Sequence, residues 1–135
     1  MMKKDFADWH DLKTKIQGAE NSLFFREREI WLCYLGLNLG HEEDGKQELF
    51  LRPVIVFRKF SPNFFWGIPL TSKEKDGSYY YHSRFAGKVG TALLFQMRLM
   101  DRKRLFRKIG TMHHHKFLEM AGKVGLLLPN ENPSI

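Results

Sequence analysis

A chain of 135 residues suits one compact domain and is too short for two ordinary domains with separate cores. Its 43% hydrophobic and 27% charged residues exclude a disordered chain, and 22 Lys and Arg against 15 Asp and Glu leave a formal charge of +7. The single cysteine, Cys33, excludes an internal disulfide, no apolar run is long enough to span a bilayer, and the start MMKKDFADWH has no signal-peptide core, so a soluble, cytoplasmic protein is expected.

Residues 4–18 place Phe6, Trp9, Leu12 and Ile16 at helical spacing, which predicts an amphipathic helix stopped at Gly18. EIWLCYL (29–35) is too apolar and too rich in β-formers for an exposed helix and reads as a buried strand, with Cys33 an inert thiol inside it. The loop GLNLGHEEDGKQE follows, with three glycines and an acidic cluster. LFLRPVIVFRKF (49–60) and FFWGIPLT (64–71) read as a hairpin turned at Ser61-Pro62-Asn63, and SKEKDG (72–77) as another turn. SYYYHSRF (78–85) reads as a strand, which Gly87 to Gly90 break from TALLFQMRL (91–99). Lys116 to Val124 carry Phe117, Met120, Ala121 and Val124 on one helical face, and Leu126 to Pro129 end the ordered chain before a frayed NENPSI. The expected fold is therefore mainly β with helices: about five strands in a small, strongly bent antiparallel sheet or partly open barrel, between N- and C-terminal helices.

The positive charge is not spread evenly. Residues 1–35 and 113–135 are each neutral and 36–50 sum to −3, whereas 51–75 carry +4, 76–97 carry +1 and 98–112 carry +5. That distribution favours a polyanion-facing surface over a loose basic tail, although a solvated charged face would look similar. Within the basic stretch, a hairpin turned between Ser61 and Pro62 brings Arg52 across from Thr71 at its open end. Pro53 lacks an N–H and holds Arg52 extended near the start of its strand. A guanidinium grips phosphate oxygens in a planar fork and a hydroxyl donates to another. The pair can thus stabilise a pentacoordinate phosphorus, unless Arg52 merely pairs with Glu42 or Glu48.

These residues also carry a family resemblance. Glu29-Ile30-Trp31, Gly40-His41-Glu42, Arg52-Pro53-Val54-Ile55-Val56, Ile68-Pro69-Leu70-Thr71-Ser72 and Gln96-Met97-Arg98, with the later Asp101 to Leu105 and Lys108-Ile109-Gly110, are in their order similar to the MazF/PemK toxins. The similarity implies an SH3-like barrel domain over 28–128, with residues 1–27 a helical extension and 129–135 a tail. It implies a homodimeric, metal-independent endoribonuclease of a type II toxin–antitoxin system, needing no cofactor and held in check by a cognate antitoxin. Single-stranded RNA would be cut by attack of the ribose 2′-OH, leaving a 2′,3′-cyclic phosphate and a 5′-OH. By position the resemblance implies Arg52, Thr71 and Glu42 as catalytic residues and His41, Lys73 and Gln96 as RNA contacts. Phe95, before Gln96, stands where a smaller residue is common in the family.

Other features are less telling. Arginine stays protonated, so the conventional base candidates are His41, Glu42 and His82. His113-His114-His115 are consecutive, and side chains about 100° apart on a helix do not converge easily on one ion, so a helix start is the expected role and no metal site is assigned. Tyr79-Tyr80-Tyr81 and Phe64-Phe65-Trp66 can stack on bases, but alternate members of each run should be core. Two non-enzymatic readings stay open: a gyrase-poisoning toxin on the same barrel, and a silent RNA- or protein-binding module.

Overall fold

The computed structural model describes residues 24–37 and 49–129. The expected helix over 4–18, the loop carrying His41 and Glu42, and the NENPSI tail lie outside them. The elements in chain order are β1 (Glu29–Leu37), β2 (Leu49–Lys59), β3 (Phe64–Thr71), β4 (Tyr80–Phe85), β5 (Lys88–Leu93), β6 (Arg98–Asp101), β7 (Leu105–Thr111) and α1 (His114–Gly125). Two single 3-10 turns, Leu94–Gln96 and Arg102–Arg104, flank β6.

All strand pairs are antiparallel, in the order β4-β5-β3-β2-β1-β7, with β6 added to β3. Strand β3 is the hub. One edge pairs β2 from Phe65 to Pro69; the other pairs β6 from Phe64 to Gly67 and then β5 at Leu70 and Thr71. Gly67 sits at the tightest point, where a Cβ would lie 2.6 Å from Val54 Cγ1 and 2.7 Å from Met100 Sδ. Only a residue without a side chain lets β3 pass there.

The centre of the sheet, β1 to β3, is buried on both faces, which is why β1 reads as a continuous apolar run rather than an alternating one. Ile30, Ile55, Ile68 and Leu70 face a cluster that takes in Tyr81 and Phe85 of β4 and Met120 and Val124 of α1. Trp31, Cys33, Val54, Val56 and Phe65 face a second cluster, closed by Phe25, Met100 and Leu105. The segment before β1 is tied down by backbone bonds from Arg28 N to Val56 O and Met112 N to Arg28 O, and by Lys59 Nζ donating to Phe25 O at 2.7 Å.

Two expectations change. Among the described residues seven strands replace about five, because the expected strand 91–99 is interrupted by the Leu94–Gln96 turn and the basic stretch after Met97 forms β6 and β7. Gly90, expected to break the chain between strands, lies inside β5. Its missing side chain matters: a Cβ there would meet Thr71 O at 3.0 Å. Nor does the sheet close into a barrel, since β4 and β7 at its two ends do not pair. The ends nearly meet at one corner, where a Cβ on Gly110 of β7 would lie 2.9 Å from Cβ of Ala86 in the β4–β5 turn. Beside that corner a mainly apolar cleft of about 370 Å³ remains, lined by Leu32, Pro53, Phe85, Val89 and Ile109 among others.

Candidate active site

Away from the turn the β2–β3 register is the one expected, with Val54 opposite Pro69, Ile55 opposite Ile68 and Val56 opposite Gly67, while a bulge between Val56 and Arg58 shifts it by one residue nearer Ser61-Pro62-Asn63. The ladder stops at Val54 and Pro69, so Arg52 and Thr71 are not a hydrogen-bonded cross-strand pair as expected. Pro69 offers no N–H to the ladder, and beyond it β3 turns its other edge to β5. Arg52 instead lies opposite Cys33 of β1, and Thr71 opposite Thr91 of β5.

Strand alternation nonetheless returns the two to one face. Arg52 is two residues from Val54, Val54 faces Pro69, and Thr71 is two residues beyond Pro69. The same face continues across the sheet: Thr71 opposes Thr91, and Thr91 opposes His82 of β4. Thr91 is fully buried, its Oγ1 lying 3.2 Å from His82 Nδ1, while the His82 side chain is exposed. His82 is thus two strands away from Thr71, oriented through a buried hydroxyl, rather than beside it. Thr71 Oγ1 accepts from Lys73 N at 3.2 Å, which fixes the threonine rotamer and starts the turn that presents the exposed Lys73 side chain. Gln96 is exposed at the end of the Leu94–Gln96 turn. Arg52 is half-buried, and among the described residues no hydrogen bond or ion pair engages its guanidinium.

Two residues outside the expected set join this face. Thr91 became visible only through its pairings. Arg98 of β6 opposes Gly67, on the same side as Val54, and lines a cleft of about 420 Å³ with Arg104 and Asp101. Cys33 lies directly across from Arg52, and the Arg98 charge acts to lower its thiol pKa. Burial still dominates there and pushes the thiol up to about 12, so Cys33 is a packed, unreactive side chain.

Among the described residues no three His, Cys, Asp or Glu side chains converge as metal ligands would, and no helix is long and apolar enough to cross a membrane. The histidine run starts α1: His113 is the N-cap and its Nδ1 accepts from His115 N at 3.2 Å.

No curated protein sequence matches the chain. The crystal structure of MazE–MazF (Form-II) from Deinococcus radiodurans is 19% identical, covers 78% of this chain and 96% of its own, and superposes with a TM-score of 0.59. The Mycobacterium tuberculosis toxin MazF-mt6 is 14% identical, with coverages of 73% and 94% and a TM-score of 0.55. An endoribonuclease in complex with its cognate antitoxin, from a mycobacterial species, is 12% identical, with coverages of 76% and 97% and a TM-score of 0.53. At these identities the likeness establishes a shared MazF-like fold. The family described as PemK-like, MazF-like toxin of type II toxin–antitoxin system matches residues 26–128, so the chain belongs to that family of toxins.

Proposed function

We propose that this toxin is an endoribonuclease that cuts single-stranded RNA. The observation that carries the reading is the common face of Arg52 and Thr71: a guanidinium without a partner among the described residues, and a hydroxyl oriented by the following turn. In the reaction the ribose 2′-OH gives up its proton and attacks the adjacent phosphorus. The bond to the 5′-oxygen then breaks, that oxygen takes a proton, and the products are a 2′,3′-cyclic phosphate and a 5′-OH. Arg52 neutralises the growing charge on the phosphorane and Thr71 hydrogen-bonds to it. The substrate supplies its own nucleophile, so the step as written routes nothing through a metal or cofactor.

The base that receives the 2′-OH proton comes from His41, Glu42 or His82. Thr91 engages Nδ1 of His82 and leaves Nε2 as the nitrogen that can face substrate. Lys73, Gln96 and His41 contact the strand on either side of the cut. Arg98 adds a cation on the same side of the sheet as Arg52. We further propose that the toxin acts as a homodimer in the cytoplasm and that a cognate antitoxin silences it by covering this face. The antitoxin complexes among the solved relatives support that last point.

The test is to incubate the purified protein with a long RNA in excess chelator and to map the cut sites and end groups. Discrete cuts with cyclic-phosphate and 5′-hydroxyl ends are expected. Intact RNA, with arrested DNA supercoiling in a parallel assay, would replace this reading with a gyrase-poisoning toxin.

A further inference from the structure

Next to the Thr71 row lies a surface feature that phosphate chemistry does not account for. The Phe95 ring packs against two tyrosines, with centroids 6.2 Å from Tyr79 at 69° and 5.7 Å from Tyr80 at 88°. Tyr79 is 57% and Phe95 53% exposed, so the edge-on packing leaves ring faces open to solvent. Single exposed aromatics are ordinary, but one ring braced edge-on by two others at one surface point is a constructed feature. Their backbone is fixed as well. Leu94 N donates to Tyr79 O at 3.0 Å and Tyr80 N to Gly77 O at 3.2 Å, while Lys123 of α1 donates to the carbonyls of Gly77 and Tyr80.

The position of the rings relative to the candidate site is set by strand pairing. Tyr80, His82 and Arg84 alternate on the outward side of β4, whereas Tyr81 and Phe85 point into the core. His82 belongs to the Thr91–Thr71 row. Tyr80 is therefore one two-residue step along β4 and two strand spacings across from Thr71, roughly 12 Å away in a regular sheet. One or two nucleotides of an extended strand cover that distance. Gln96, adjacent to Phe95, supplies both a donor and an acceptor for a base edge. Between residues 72 and 89, Lys73, Lys75, Arg84 and Lys88 outnumber Glu74 and Asp76, which suits a polyanion better than an acidic-rimmed protein contact would.

We infer that Tyr79, Tyr80 and Phe95 form a base-stacking platform that holds an unpaired nucleotide of the RNA strand whose scissile phosphate lies at Arg52 and Thr71. The inference rests on the ribonuclease reading for what happens at the phosphate, but not for binding. An unpaired base stacks on an aromatic face with little regard to its identity, so the platform sets affinity and excludes duplex RNA, whose bases are already stacked. Because the rings are braced before RNA arrives, little ordering cost accompanies binding.

The experiment uses single-stranded oligonucleotides that are 2′-O-methylated throughout, so that no 2′-OH can attack, and that carry one 2-aminopurine at successive positions. Binding to the parent protein should quench the fluorophore at one or two positions. The double variant Tyr79→Ala/Phe95→Ala, shown to be folded by circular dichroism, should bind at least about tenfold more weakly and lose the quenching. The ring-retaining double variant Tyr79→Phe/Phe95→Tyr should bind like the parent. On unmodified RNA the alanine variant should raise KM with little change in kcat. Parent-like binding by the alanine variant, equal weakness of the ring-retaining variant, or no binding by the parent would overturn the platform. If the parent binds and quenches but never cleaves unmodified RNA, the platform stands and the ribonuclease reading falls. If the parent cleaves and the alanine variant does so with unchanged kcat/KM, the reverse holds.

Discussion

Glu29 shows how a single side chain is held charged at the start of β1. Burial alone would raise its carboxyl pKa. The Trp31 indole N–H at 3.0 Å, the Arg26 N–H at 2.9 Å and the Lys108 ammonium at 3.1 Å more than offset that, and hold it below the ordinary carboxylate range. A carboxyl with a depressed folded pKa contributes stability above its unfolded value, and that contribution is lost as pH falls through the lower folded value. Glu29→Gln keeps an oxygen for Trp31 but removes the charge, so its stability should fall less steeply below about pH 4.5 than the parent's, as urea titrations at successive pH values will read. At this same scale the candidate site was partly legible. Arg52 announces itself by preceding Pro53, and Thr71 by closing the strand. The Thr91 hydroxyl gives no such signal, because its meaning depends on two neighbours from other strands, His82 and Thr71.

The elements repeat this division between local and distant information. The β2–β3 hairpin was readable over Val54 to Val56, where the turn and the apolar stretches agree on the register, but not at the bulge between Val56 and Arg58 that shifts the pairing by one residue nearer the turn. Strands β6 and β7 were not, because they are short or carry exposed charges. Only Leu105 is buried in β7, and RLMD of β6 buries only Met100. Their hydrogen bonds to β3 and β1 hold them, rather than any apolar pattern of their own. Gly90 misled for a related reason, since its lack of a side chain serves a close approach to Thr71 that no local pattern reveals. Gly67 offers a direct check on the hub. Gly67→Ala forces a methyl group against Val54 and Met100, and should cost about 1–3 kcal/mol of stability, measured by denaturant unfolding. An unchanged midpoint would mean that β3 does not cross so tightly.

At the scale of the whole molecule, the +7 charge and the doubly buried centre of the sheet serve different ends. The two apolar clusters fix the sheet, and the excess of cations over anions in residues 51–112 gives the chain its attraction for a polyanion. Binding of a non-cleavable single-stranded oligonucleotide should weaken linearly on a log–log plot as salt rises. Replacing Arg98 with Ala should lower that slope by about 0.7, the increment expected for one lost phosphate contact on a single strand. A slope unaffected by Arg98 would remove this cation from the RNA path. Among all these cations, one alone is assigned to the reaction itself. The decisive measurement is the single-turnover cleavage rate of Arg52→Ala at saturating protein, alongside its affinity for the non-cleavable strand. The account predicts a rate at least about a hundredfold lower with affinity changed by less than about tenfold. A rate within about twofold of the parent would contradict it.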